Sequence, residues 1–305
     1  MNAVLNRILL RYLPEGALAF LRSVLKNRRR KTLQRQQARG GIGQEELVRQ
    51  FRDLGIEAGD CLLVHSSMSK IGYVNGGAET VIAALTEAVG PDGTLLMPSF
   101  PAPGRNLDYL RSHPVFDVLH TPSAMGVITE TFRCIPGVIR SVHPTDPVCA
   151  KGPMAEQLTM GHFGQPTPYN AQSPFRKLAE TGGKILMLGT TLNGAGTSLH
   201  TLEDAVDFPY PVYMPESISC KVIDAQGRSH SVSTRVHNPE YSARRNCDAL
   251  LPYFEKQGVV RHGKIGEASA MLFDAAGQFR VMQEEFRRNG VTMYTPQGVK
   301  RNKMA

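Results

Sequence analysis

Paired cysteines, long apolar runs and the common catalytic signatures are all missing from this chain of 305 residues. Its five cysteines (61, 134, 149, 220 and 247) are odd in number and scattered, with no C-x-x-C. That pattern argues for a reducing compartment and against a disulfide framework or a structural zinc site. No apolar run is long enough for a transmembrane helix, and the N-terminus shows no apolar core followed by a small-residue cleavage site. The expected location is therefore the cytoplasm. No G-x-S-x-G is present for a serine hydrolase, and no G-x-G-x-x-G follows the first apolar strand for a dinucleotide fold. Gly189–Gly196 has P-loop-like glycines but lacks the Lys-Ser/Thr that would hold phosphate and Mg²⁺.

The composition is ordinary for a globular protein: 41% hydrophobic and 20% charged residues. The length fits one large α/β domain or two smaller ones. The net charge of +8 is confined to one end. Residues 1–39 hold ten Lys/Arg and one acid, Glu15, so the remaining residues net −1. With no nucleic-acid-binding signature in a near-neutral body, no nucleic-acid partner is expected. The basic segment carries apolar residues at helical spacing (Leu5, Ile8, Leu9, Tyr12; Leu18, Leu21, Val24, Leu25) and then the run Lys26–Lys31. Such an arm suits an anionic membrane surface, or packing on its own domain or on a second subunit of a homo-oligomer. A linker over 34–41 separates it from the body, so the expected division is an arm and linker over 1–42 and one domain over 43–305.

The body reads as alternating strands and helices: an amphipathic helix at 44–54, apolar strands at Cys61–Val64 and Thr94–Phe100, and a helix at 78–90 between them. Strand, loop, helix, strand is a βαβ unit and implies a parallel pair. Residues 101–122 and 136–175 read as loops, the second with seven prolines. Helices are expected at 125–134, 243–255 and 277–289, and a hairpin at Ile218–Ile223 and Ser231–Val236 around a DAQG turn.

The segment KILMLGTTLNGAGTSLHTLEDAVD (184–207) carries the most chemistry. The buried strand Ile185–Leu188 ends at Gly189, and a small-residue loop follows. Thr197 or Ser198 then stands where a helix N-cap belongs, with His200 in the first turn and Glu203 three residues on. The helix start disfavours imidazolium while the carboxylate favours it, so His200 reads as a general base near neutral pH. A capping turn with a hydrogen-bonded histidine is the plainer alternative. His200 and Glu203 have no further convergent ligand in sequence, so no metal is expected. Cys149 could be a thiol nucleophile, but a lone cysteine among apolar neighbours reads as core.

Several ordered stretches resemble the antibiotic N-acetyltransferase family, of which the aminoglycoside 3-N-acetyltransferases are members. They are VHSSMSKIG (64–72) with Gly76-Gly77-Ala78, GTLLMPSF (93–100), TPSAMG (121–126), RSVHP (140–144), Ser173-Pro174 and TSLHTLE (197–203), with a weaker match over 263–268. They cover roughly residues 43–290. The resemblance implies an α/β fold, a layered mixed sheet flanked by helices, distinct from the GNAT acetyltransferases. It also implies acetyl-CoA or another acyl-CoA as donor, and direct attack by a primary amine of an amino sugar. On this chain it makes His200 the base and Glu203 its orienting partner. The Thr197 hydroxyl or nearby N–H groups would serve as oxyanion donors. His65, Ser66, Ser67, Gly72 and Ser198 become candidates for the CoA side. His143, in RSVHP, and Asp204 become candidates for the acceptor side, although Asp146 departs from the family pattern two residues after Pro144.

Aminoglycosides are polycations and call for an acidic cleft. The near-neutral body, together with Arg235, Arg244 and Arg245, favours an anionic nucleotide-linked amino sugar of surface-glycan assembly. Aminoglycoside acetylation, conferring resistance, is the alternative within the class, and a non-catalytic membrane-associated scaffold the alternative outside it.

Overall fold

A computed structural model describes residues 40–102, 104–112 and 115–299, with isolated positions 24, 32, 37 and 38 before them. The expected amphipathic helices and polybasic run of the arm lie outside the described residues. Among the described residues, no helix is long and apolar enough to cross a membrane.

A seven-stranded mixed sheet runs in the order β4-β5-β2-β1-β6-β10-β9. Its centre is parallel: β1 (Cys61–Ser66) lies between β2 (Thr94–Pro98) and β6 (Lys184–Leu188). On one side β5 (Val148–Lys151) and β4 (Ile139–Arg140) continue it antiparallel, and on the other β10 (Ala268–Asp274) and β9 (Val260–Ile265) do the same.

The central strands read as unbroken apolar runs because both of their faces are covered. Leu62, Val64, Leu95, Leu186 and Leu188 face one layer, with helices α1 (Gln44–Leu54) and α2 (Gly77–Val89). Leu63, Leu96, Ile185 and Met187 face the other, with α3 (Pro174–Glu180) and α4 (Ala275–Asn289). Helix α1 buries Leu47, Val48, Phe51 and Leu54 at helical spacing and stops at Gly55. There φ is +109°, a left-handed conformation that glycine adopts without a Cβ penalty. Helix α4 begins where the Asp274 carboxylate accepts the Ala276 N–H at 3.1 Å.

A smaller sheet of β3 (Val115–Asp117), β7 (Ile218–Ile223) and β8 (Ser229–Thr234) has its own core around Phe116, Val222 and Val232. The chain leaving β8 bridges back at Tyr213–His237, and this return delivers His237 to the main site.

Several sequence expectations need correction. Residues 101–122 contain a helix, Asn106–Ser112, as well as β3, and residues 136–175 contain β4, β5 and a short helix, Ala155–Thr159. These pieces are too short to show a period, and their pairing partners are distant in sequence. The second hairpin strand begins two residues earlier than its apolar pattern suggests. The helix expected over 243–255 is broken into a 3₁₀ turn, Cys247–Leu250, and a helix, Leu251–Lys256. Pro252 is tolerated in a first helical turn but not in an interior.

Candidate active site

The parallel strands end together, and their C-terminal ends open on a cavity of about 420 Å³. That is where an open α/β sheet presents groups to ligands. His65 and Ser66 come from the end of β1, Pro98 from the end of β2, and Thr190 from just beyond β6. A second cavity of about 280 Å³ shares Gly194, Ala195, Thr197, His200, Ser242 and Arg245 with the first.

His200 sits on the common wall. The segment that carries it, Thr197–Leu202, is a 3₁₀ helix preceded by Gly196, not an α-helix capped by Thr197 or Ser198. Neither hydroxyl caps. Thr197 Oγ1 lies 3.3 Å from His65 Nε2, and Ser198 donates to Gln278 Oε1 at 2.6 Å. The i, i+3 relation survives this change, since three residues close one 3₁₀ turn. His200 Nδ1 and Glu203 Oε1 are 2.9 Å apart.

Glu203 is the hub of the site. His237 Nε2 reaches its other oxygen, Oε2, at 2.6 Å, and the Tyr294 hydroxyl donates to Oε1 at 2.8 Å. Burial would push this carboxyl up, but the two histidines outweigh it and hold it well below the usual carboxylate range. Glu203 is thus an anion at any physiological pH, and it fixes the His200 tautomer with the proton on Nδ1. The Nε2 lone pair then accepts from Arg245 Nη1 at 3.1 Å, and both residues line the cavity. Burial, reinforced by the Arg245 charge and opposed by Glu203, brings the His200 pKa down to about 4. The His200 imidazole is therefore neutral at pH 7, with a pKa below the near-neutral value its place in the sequence suggests. The His200 and His237 rings lie 4.6 Å apart, and the Tyr213 ring stacks on His237 at 4.8 Å.

His200, Glu203 and His237 each offer a metal-ligating atom within 4.8 Å of the others. Glu203 hydrogen-bonds to both histidines, one through each oxygen, and to Tyr294.

The sequence-derived candidates separate cleanly. His65, Ser66, Thr197 and His200 line the cavity, with Glu203 directly behind His200. Ser67 lines neither cavity; its hydroxyl meets Ser69. Gly72 borders a different depression beside Tyr73 and Gly266. Ser198 is buried against α4, and Asp204 is turned to the Tyr213 hydroxyl. His143 is fully buried, stacked on His162, with Thr234 Oγ1 at 3.3 Å from Nε2. Cys149 lies inside β5 in the core. His237 and Tyr294 were not anticipated: each reaches Glu203 from far along the chain, with no local spacing to mark it.

The sequence model of the family described as aminoglycoside 3-N-acetyltransferase matches residues 63–287. The chain belongs to that family. Its relative in Streptomyces fradiae, aminoglycoside N(3)-acetyltransferase VIII, is 36% identical over 270 residues, covering 80% of this chain and 92% of the relative. Among solved structures, AAC-IIIb in a binary complex with CoASH superposes with a TM-score of 0.69 at 29% identity, covering 81% of this chain and 97% of that one. AAC-VIa bound to sisomicin superposes with a TM-score of 0.68 at 30% identity, covering 81% and 98%. The family places the chain among the N-acetyltransferases that use this layered mixed sheet and not the GNAT fold.

Proposed function

We propose that the protein transfers an acetyl group from acetyl-CoA to a primary amine of an amino sugar, aminoglycosides among them, with His200 as general base. The observation that carries this reading is the buried Glu203 carboxylate holding His200, a residue of the cavity wall, through Nδ1. The CoASH and sisomicin complexes of its relatives support the two substrate classes.

The cavity suits a slim pantetheine arm. Gly194 and Ala195, two small residues, line both halves. His65, Ser66 and Thr197 are the groups placed to hold that end. Acetyl-CoA supplies the acyl group as a thioester: the amine nitrogen bonds the carbonyl carbon, the C–S bond breaks, and CoA leaves as its thiol. His200 Nε2 takes the proton that the amine sheds, Glu203 stabilises the resulting imidazolium, and the thiolate can recover that proton. A base so placed typically contributes 10²–10⁴-fold. Thr197 Oγ1, beside His65, is a donor within reach of the carbonyl oxygen's charge. The test is release of CoA thiol from acetyl-CoA with amino-sugar acceptors, comparing the wild type with His200→Ala.

Residues 1–39 supply the second part of the reading. We propose that this basic arm attaches the enzyme to anionic membrane and takes no part in the chemistry, as the charge distribution supports. Sedimentation with anionic liposomes, with and without residues 1–39, tests it.

A further inference from the structure

The charged groups around the cavity are unusual for a site that receives a polycation. Among the described residues lining either cavity, Asp146 is the sole carboxylate, while Arg105 and Arg245 are both cationic. Both Asp146 oxygens are already engaged, Oδ1 by the Tyr169 hydroxyl at 2.8 Å and Oδ2 by Asn106 Nδ2 at 3.0 Å. Glu203, behind the wall, is saturated by His200, His237 and Tyr294. The residues outside the described set contain one acidic side chain, Glu15. An acceptor with several ammonium groups would find one shared carboxylate here and meet a guanidinium at the reacting centre.

That guanidinium is itself incompletely matched. Arg245 Nη1 donates to the neutral His200 Nε2, and Nη2 donates to Ser242 Oγ at 2.6 Å. Its Nε is buried with no hydrogen-bond partner. Burial opposes its charged form, which Tyr294 and the Glu203 charge favour more strongly, yet among the described residues no carboxylate pairs with its guanidinium, and one buried donor stays unmatched. CoA's own phosphates cannot supply that anion, because the whole pantetheine arm separates them from the thioester that must sit beside His200. The contact also has a chemical cost: while Arg245 donates to Nε2, the lone pair that must accept the amine proton is occupied.

We propose that this site selects an amino sugar with a single amine and an anionic substituent, a phosphate or a carboxylate, which Arg245 binds as it leaves His200 Nε2. The inference rests on the acetyltransferase reading and narrows its acceptor. Charge-assisted bonds from a guanidinium to an oxyanion are roughly twice as strong as bonds to a neutral acceptor. The anion therefore outcompetes the imidazole nitrogen for Arg245, and its arrival frees the base.

Three acceptors test this: glucosamine, glucosamine 6-phosphate and gentamicin, compared by kcat/KM at saturating acetyl-CoA. Glucosamine 6-phosphate is expected to exceed each of the others by at least about tenfold, the effect of one added charged hydrogen bond. In Arg245→Gln the ratio of glucosamine 6-phosphate to glucosamine should collapse to near unity, a change that a merely structural role would not produce. Gentamicin turned over as well as the phosphorylated sugar, or a ratio unmoved in the variant, overturns the proposal. If CoASH gives no thermal stabilisation and no amine is acetylated, the acetyltransferase reading falls, and the proposal with it.

Discussion

The molecule contains two close histidine pairs, and they do different work. His200 and His237 lie 4.6 Å apart at the cavity; His143 and His162 lie 4.5 Å apart behind it. Both pairs are packed against other side chains, and burial holds His143, His162 and His200 below the ordinary imidazole pKa. The difference is in the partners. His162 accepts from the Ser141 hydroxyl at Nδ1 and donates to the Pro168 carbonyl at Nε2. His143 Nδ1 accepts the Asp146 N–H, and its Nε2 lies beside Thr234. Every ring nitrogen of the inner pair is spoken for by a neutral group, and neither ring reaches the cavity. At the outer pair a carboxylate takes one nitrogen of His200 and a guanidinium of the cavity wall meets the other. Partner charge and access distinguish the two pairs; burial alone does not.

The largest effect expected from this contrast is at His200. His200→Ala should lower kcat by at least about a hundredfold while CoA affinity, read by calorimetry, stays within a few fold. Glu203→Gln comes next. Without its charge the imidazolium loses its counter-ion, and kcat should fall about tenfold or more with KM for acetyl-CoA little changed. His143→Ala should show the opposite signature. Its cost is in stability, about 2 kcal/mol or more by urea unfolding from the void and the partners left unpaired. Steady-state kcat in the folded variant should stay within about threefold of the wild type. A hundredfold loss of kcat in a stable His143 variant would erase the distinction. Cys149→Ala, in the core beside neither pair, should be silent kinetically.

A pH series sharpens the same comparison. His65, His143, His162 and His200 are all held neutral by burial, His65 and His162 at about 3 and His200 at about 4. Below about pH 6.5 the unfolded chain takes up protons that the folded chain refuses, so stability must fall as pH drops from there toward 4. Urea midpoints at pH 7 and pH 5 should show the decline. His143→Ala should flatten it, because one refused proton is gone.

The parts of the fold legible in sequence were those with long local signals. The runs Cys61–Val64 and Ile185–Leu188 could hardly be anything but buried strands, and the stripe Leu47, Val48, Phe51, Leu54 marked α1. His200 and Glu203 were legible because one helical turn joins them, whichever helix type forms. His237, Tyr294 and Arg245 reach the same few ångströms from separate parts of the C-terminal half, and no periodicity encodes that meeting. His143 was ambiguous for a physical reason: a histidine buried among threonines and a histidine facing a cavity are the same letter. The fate of Ser198 was equally hidden, since its hydroxyl is spent on Gln278, eighty residues further on.

The interior position of β6 also bears on how the protein is made. β1 pairs with β6 from Leu62–Lys184 to Ser66–Leu188, and β6 in turn pairs with β10 from Asp274 to Ala270. On the ribosome, one edge of β1 stays bare until the chain has been extended past Leu188, and β6 stays bare until residues 268–274 have emerged. Contacts so distant in sequence close slowly. A nascent chain halted between Lys151 and Lys184 has β4, β5, β2 and β1 but leaves the apolar edge of β1 bare, an invitation to aggregation that a chaperone would have to cover.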